Sequence, residues 1–285
     1  YEISLGLVGS EMCIRDRANH LFWIASMTKP MTGVCVLMLQ DEGRLSIDDP
    51  VEKHLSEFEG QWMVSKRGKD KLTLQKPARP ITIRDLLTHT SGLGSRSSPI
   101  YRAEQVRLRS ISLTQMVENA ARVPLFEDPG TRFRYGISTT ILGRLVEVWS
   151  GQPFESFLTE RLFQPLGMTD TVFWAEGERA DRLTTVYRPD GERGGLSPYA
   201  IETVPFTERP MLIDGGVGLL SSVMDYLRFA QMFLNGGTLN NVRVLRAETV
   251  DLMTQNHVPD SALPLGNAGY MACLLYTSPS PRDRG

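Results

Sequence analysis

One apolar segment dominates the hydrophobic pattern. From Leu21 the chain turns apolar, and residues 31–39 are apolar almost without a break before Gln40-Asp41-Glu42 and Gly43. A segment apolar on every face predicts a buried helix, not an amphipathic surface one, and this segment is too short to cross a bilayer. Pro30 is tolerated in its first turn, where N–H groups lack helical partners, and Gly43 supplies a left-handed stop. Residues 18–24 read as a short strand or a lead-in to that helix.

The remaining elements follow from the same alternation. Asp48 or Asp49 reads as an N-cap with Pro50 in the first helical position. Residues 60–80 are charged and irregular and read as a surface excursion. Thr82 caps a helix from Ile83, with Asp85 as its reciprocal partner, that ends near His89 ahead of the Ser91-Gly92 turn. A helix over 112–121 follows, capped by Ser112 or Thr114, then a turn over 126–131. Ile141, Leu142, Leu145, Val146 and Trp149 space as one buried stripe on a helix stopped by Gly151. Residues 154–163 predict another helix, with Phe154, Phe157, Leu158 and Leu162 on one face, ended by Pro165-Leu166-Gly167. Residues 176–209 read as loops with a short strand or two. A glycine-rich turn over 214–222 leads into a helix that Ser222 caps. It matches neither a phosphate loop nor a dinucleotide fingerprint. Val244-Leu245 reads as a strand pair, 247–255 as a helix and 266–272 as a strand.

Composition adds limits. The chain has 285 residues, 41% hydrophobic and 22% charged, with net charge −2, enough for a large core in one bipartite domain or two. The near-neutral balance argues against nucleic acid or an anionic membrane as the main partner, and no apolar run reaches membrane-spanning length. The termini look foreign. Codons for residues 11–17 and for residues 273–278 can be written as reverse complements of each other, which resembles a sequencing adapter translated at both ends of a gene fragment. Residues 1–17 and 273–285 are therefore set aside. That leaves Cys35, in the apolar helix, as a small packing group, with no disulfide framework and no zinc spacing.

The chemistry centres on Ser26 and Lys29, three residues apart at the start of the apolar helix and so on one face of it. A serine hydroxyl is a weak nucleophile until a neighbouring base takes its proton. A lysine serves when burial and positive surroundings disfavour its ammonium, and a helix N-terminus helps stabilise an oxyanion nearby. Alone, Ser-x-x-Lys also fits an N-cap serine beside a solvated lysine. His89 is a candidate base, but the reading adopted for it is a local hydrogen bond beside a helix end. Trp23, Trp149 and Trp174 are candidate pocket residues or core.

Several segments taken in order resemble the class C β-lactamase-like serine hydrolases, which include penicillin-binding D-Ala carboxypeptidases and β-lactamase-fold carboxylesterases. They are Phe22-Trp23-Ile24-Ala25-Ser26-Met27-Thr28-Lys29, Asp41-Glu42-Gly43-Arg44-Leu45, Ile83-Arg84-Asp85-Leu86-Leu87-Thr88-His89-Thr90-Ser91-Gly92-Leu93, Tyr135 with Leu142-Gly143, Pro165-Leu166-Gly167-Met168, and residues 216–229. The resemblance implies an α/β (α+β) sandwich, an antiparallel sheet flanked by helices, from residues 18–75 and 210–272. It also implies a helical lobe from 76–209, with the site between the two.

It further implies Ser26 as the acyl-accepting nucleophile, with its backbone N–H in the oxyanion hole, Lys29 as its proton partner, and Tyr135 as base and then acid. Ile137 stands where the family's Tyr-x-Asn motif has asparagine, and Ser138 is the neighbour that substitutes for it in part. Isoleucine cannot donate to a substrate amide carbonyl, which favours the esterase branch over peptidase or β-lactamase. The family's third motif, Lys- or His-Thr-Gly, is expected beyond Ala272, so little turnover is expected of the chain as written. The expected substrate is a small-molecule ester or amide, with no metal or organic cofactor, no nucleic-acid partner and no membrane segment. A non-catalytic relative of the fold is the third reading, and the intact Ser26, Lys29 and Tyr135 argue against it.

Overall fold

The computed structural model describes residues 18–68, 71–190, 195–200 and 204–262. The set-aside ends, with Cys13 and Cys273, and the strand expected over 266–272 lie outside the described residues.

The apolar segment forms helix α1 (Lys29–Asp41), in which every residue from Met31 to Leu39 is buried. Gly43 stops it at φ +72°, with its N–H on the Gln40 carbonyl, a conformation glycine adopts at no steric cost. Ser26 precedes this helix on a separate 3-10 turn, Ala25–Thr28, rather than in its first α-turn.

Strand β1 (Phe22–Trp23) lies just ahead of that turn. The charged stretch expected to be irregular is an antiparallel hairpin, β2 (Met63–Arg67) and β3 (Leu72–Gln75). Its cations masked the alternation of Leu72-Thr73-Leu74-Gln75. Pro50 sits at an N-cap in extended conformation, before a 3-10 turn over Val51–Lys53. The Asp49 carboxylate bonds Lys53 and the Ser46 N–H instead of capping a helix.

Helix α2 (Ile83–Leu87) carries the expected capping box of Thr82 and Asp85, and α3 (Leu113–Ala121) is capped by Ser112. Helix α4 (Ser138–Ser150) buries the predicted stripe and ends at Gly151 with φ +73°. It packs on α1, α2 and α3 and on α5 (Phe154–Leu158). Beyond α5 the helix widens into one π-turn, Thr159–Phe163, ahead of Pro165. Proline has no N–H to continue the ladder.

The loop region holds a hairpin of β4 (Tyr187–Pro189) and β5 (Leu196–Pro198). Strand β6 (Leu220–Ser221) pairs antiparallel with β1 and leads into α6 (Val223–Leu234), capped by Ser222. The strand pair expected at Val244-Leu245 falls slightly earlier. It is β7 (Thr238–Leu239) and β8 (Val242–Arg243), turned by Asn240 and Asn241 at φ +50° and +63°, a two-residue hairpin geometry that asparagine accepts. Helix α7 (Ala247–Thr254) follows. The fold class is α/β, with antiparallel pairs and packed helices. Among the described residues, one apolar cluster runs from Met31 and Leu37 through Leu142 and Phe154 to Phe229 and Met253, crossing both expected lobes.

Candidate active site

The pairing of β1 with β6 brings the glycine-rich turn over the segment that carries Ser26 and Lys29. The turn is held there almost carbonyl by carbonyl. Thr32 Oγ1 donates to the Gly215 carbonyl at 2.7 Å, Lys29 Nζ to Gly216 at 2.8 Å, and Trp23 Nε1 to Val217 at 2.6 Å. Thr28 Oγ1 accepts from the Leu219 N–H at 3.2 Å. A Cβ on Gly215 would lie 2.9 Å from Thr32 Oγ1, and one on Gly218 would lie 2.7 Å from the Asp214 carbonyl. Glycine at these positions is therefore a requirement of close approach.

Within this frame Lys29 is buried, with 5% exposure, and its ammonium reaches Ser26 Oγ at 3.2 Å. Ser26 itself is half-buried, and Ala25 ahead of it adopts φ +47°, uncommon for alanine and the kind of local strain that gathers at functional positions.

Tyr135 comes from a distant loop. The turn over His89–Gly94 fixes it: the His89 carbonyl accepts the Arg134 N–H at 2.8 Å and the Gly94 carbonyl accepts the Ile137 N–H at 3.1 Å. Gly136 packs so tightly on Gly94 that a Cβ would stand 2.1 Å from the Gly94 oxygen. The Tyr135 hydroxyl then lies 2.7 Å from Ser26 Oγ, and Lys29 Nζ is 4.7 Å from the Tyr135 ring centre. The structure thus brings together Ser26, Lys29 and Tyr135.

Ile137 and Ser138 are placed differently. Both are fully buried, and the Ser138 hydroxyl is taken up by Ser91 Oγ at 2.9 Å. Neither offers surface at the site. Their side chains enter the start of α4, whose first turn is buried against the core. Trp149 is core, with its indole N–H on His54 Nδ1. Trp174 lines a separate groove of about 390 Å³ with Phe163, Met168 and Phe173.

His89 departs from the local hydrogen bond expected of it. It is fully buried at φ +56°, and neither ring nitrogen has a hydrogen-bond partner among the described residues. Its ring packs 4.7 Å from that of Tyr135. Burial, reinforced by the nearby Lys29 charge, lowers its pKa to about 3, so it is neutral at physiological pH and acts as packing beneath Tyr135.

A second group was not legible as functional in the sequence. Asp214 is buried, accepts from Arg107 Nε at 2.5 Å, from Thr140 Oγ1 at 2.7 Å and from the Gly216 N–H at 2.7 Å. Burial opposes its charge, yet Arg107 and these donors together hold its pKa below the usual carboxylate value. The carboxylate therefore shapes the turn whose Gly216 carbonyl seats Lys29. The only sequence signal was an acidic residue opening a Gly-Gly turn, and Arg107 lies in a loop at φ +67° with no motif around it.

Among the described residues there is no cluster of His, Cys, Asp or Glu suited to a metal ion.

Comparison with known proteins gives the family. The beta-lactamase family model matches residues 15–280. An uncharacterized protein of Mycobacterium tuberculosis is 38% identical over 246 residues, covering 85% of this chain and 61% of the relative. The lovastatin esterase of Penicillium rubens is 29% identical over 254 residues, covering 87% of this chain and 62% of the relative. The solved structure of EstCE1, a hydrolase with promiscuous acyltransferase activity, superposes with a TM-score of 0.71 at 25% identity, over 86% of this chain and 66% of that one. The chain thus spans about six-tenths of the length of these curated relatives. A family match over nearly the whole sequence, on a fold that converges Ser26, Lys29 and Tyr135, means that the chain belongs to the beta-lactamase family.

Proposed function

We propose that the protein is a serine esterase that works through an acyl-enzyme on Ser26. The observation that carries this is the convergence on Ser26 Oγ of the Tyr135 hydroxyl at 2.7 Å and the Lys29 ammonium at 3.2 Å. In the acylation step the Ser26 oxygen bonds to the ester carbonyl carbon, and its proton passes to the Tyr135–Lys29 pair in the form that has already shed one proton to solvent, a phenolate beside the ammonium or a phenol beside the neutral amine. In the resting geometry the Tyr135 hydroxyl donates to Ser26 Oγ at 2.7 Å; with the pair deprotonated the same contact carries the proton from serine to the phenolic oxygen. The Ser26 N–H supplies an oxyanion donor. Collapse of the tetrahedral intermediate breaks the bond to the leaving alkoxide, which takes that proton. Water then attacks the acyl-serine, with the same pair as base, and releases the acid.

Two features favour an ester over an amide. Ile137 has no hydrogen-bond donor on its side chain, and the Ser138 hydroxyl is already bonded to Ser91, so neither binds an amide carbonyl. Met27, 47% exposed beside the nucleophile, offers apolar surface to an acyl chain. Relatives carry both esterase and D-alanyl-D-alanine carboxypeptidase names, so the preference for an ester rests on Ile137, Ser138 and Met27.

The test is to incubate the protein with p-nitrophenyl butyrate and, separately, with nitrocefin, and to follow both turnover and intact mass. A butyryl adduct or turnover that Ser26→Ala abolishes is the expected result. Faster reaction with nitrocefin sinks the esterase reading in favour of a β-lactam-directed one.

A further inference from the structure

The hairpin β2–β3 presents an apolar face that the core does not use. In its register Met63 pairs with Gln75 and Val64 with Leu74. Cross-strand partners project on the same face, and residues two apart along a strand share a face. Met63, 5% exposed, points into the core. Trp62, Val64, Leu72 and Leu74 therefore share the opposite, outward face. Trp62 is 49% exposed, Leu72 44% and Leu74 42%. An exposed apolar strip of this kind marks a contact surface.

The charge around it is one-sided. Between Trp62 and Lys76 the chain carries Lys66, Arg67, Lys69, Lys71 and Lys76 against the single anion Asp70, although its overall charge is −2; Arg79, just beyond, is held by Asp85. The whole-chain balance that argued against an anionic surface therefore hides a strongly basic segment. Lys66 is exposed on the hairpin, Lys71 is exposed just before β3, and Lys76 stacks its ammonium 3.9 Å over the Trp62 ring. Of the acids around it, Glu127 pairs with Arg134 and Asp128 accepts from the Ala78 N–H, while Glu59 lies exposed at the Lys76 end.

We propose that the outward face of this hairpin docks the protein on an anionic lipid surface, with Trp62, Leu72 and Leu74 entering the interface and the lysines meeting the headgroups. Indole rings settle at the boundary between headgroups and acyl chains. Lysine stems lie along apolar surface while their ammonium groups stay wet. A second copy of the chain is the weaker occupant. Pairing along the free edge of β3 brings Lys71 and Lys76 toward their own duplicates or like-charged neighbours, the arrangement by which natural edges resist edge-to-edge association. The proposal is independent of the chemistry at Ser26.

Vesicle flotation tests it on the intact chain. One set of vesicles holds one part phosphatidylglycerol to two parts phosphatidylcholine, and the other holds phosphatidylcholine alone. Flotation with the anionic vesicles only, weakening as salt is added, is expected. Lys66→Gln with Lys71→Gln is expected to weaken partitioning about 30-fold, since each cation near an anionic surface contributes about fivefold. Leu72→Ser with Leu74→Ser is expected to remove flotation while lowering the thermal midpoint only slightly, because both side chains lie outside the core on the hairpin. No flotation, equal flotation with both vesicles, or indifference to both pairs of substitutions overturns the proposal. So does light scattering that finds a dimer lost in the leucine variant with no lipid binding, which assigns the face to a second copy. Flotation abolished by a short oligonucleotide but insensitive to the leucine substitutions overturns it in favour of nucleic acid.

Discussion

Asp214 and Arg107 form a buried ion pair, 2.5 Å between Oδ2 and Nε, at the base of the turn whose Gly216 carbonyl holds Lys29. The same carboxylate accepts from the Gly216 N–H. One acidic side chain thus ties a charge in the core to the orientation of the carbonyl that seats the lysine. Removing one partner strands the other charge in a low-dielectric site, which costs about 3–5 kcal/mol. Asp214→Asn is therefore expected to lower stability in urea unfolding by about that much, and Arg107→Met in the same chain to recover part of it. The carboxyl pKa is depressed in the folded state. Its stabilisation is complete above the unfolded carboxyl range near about 3.9 and is lost as pH falls through the lower folded value. The stability gap between the parent and Asp214→Asn should accordingly narrow in acid. A gap that is constant down to the acid limit would show that the pair contributes through packing alone.

His89 also lowers stability as pH falls, in a window that begins at milder acidity. Its folded pKa of about 3 lies well below the ordinary imidazole value of 6.5, because burial and then the Lys29 charge disfavour the imidazolium. Between those two values the unfolded chain binds the proton and the folded one does not, so stability falls as pH drops through that window. The slope is at most about 1.4 kcal/mol per pH unit. His89→Phe keeps the ring beneath Tyr135 and removes the titration. Urea unfolding at pH 7 and pH 5 should show a smaller loss for His89→Phe than for the parent. Equal losses would mean that the imidazole is protonated in both states or in neither.

Gly136 sits between the two segments that position Tyr135. A methyl group there would stand 2.1 Å from the Gly94 carbonyl oxygen and 2.7 Å from its carbon. Neither is a flexible side-chain end, so backbone must move. Overpacking of this kind costs about 1–3 kcal/mol. Gly136→Ala is expected to lower the melting midpoint and to slow acylation of Ser26 more than Gly151→Ala does. Gly151 holds a positive φ, so alanine there carries backbone strain, but its Cβ has nothing within 4 Å and it lies on neither segment that positions Tyr135.

How much of this was legible in the sequence depended on how local the cause was. The apolar run of α1, the Thr82–Asp85 capping box, the buried stripe of α4 and the Ser222 cap each arise within a few residues of chain, and each was readable. The hairpin over residues 63–75 was missed because its lysines break the apolar count while its alternation is short. Lys29 and Ser26 were found through spacing, and Tyr135 only through resemblance, since 109 residues separate it from Ser26. Arg107 and Asp214, 107 residues apart, share no motif and meet where the Arg109 carbonyl accepts the Met211 and Leu212 N–H groups, which lays the Arg107 loop beside the chain leading to Asp214. The burial of Ile137 and Ser138 also could not be read, because a residue at the start of a helix faces core or cleft according to which neighbour packs on it.

The strongest test of the site separates Tyr135 and Lys29 as a unit from two independent contributors. Tyr135→Phe removes the hydroxyl 2.7 Å from Ser26 Oγ and leaves the ring packed between His89 and Lys29. Lys29→Met removes the ammonium and its bond to Gly216 while keeping a side chain of similar length. A positioned acid–base group contributes about 10²–10⁴ in rate, so each single substitution should slow formation of the Ser26 butyryl adduct by that order, read by intact mass over time. Groups that pass one proton between them are strongly non-additive. The double variant is then expected to be no slower than the worse single variant. If the two losses multiply, each side chain acts alone on Ser26, and the shared proton route proposed through the phenol and the amine is wrong.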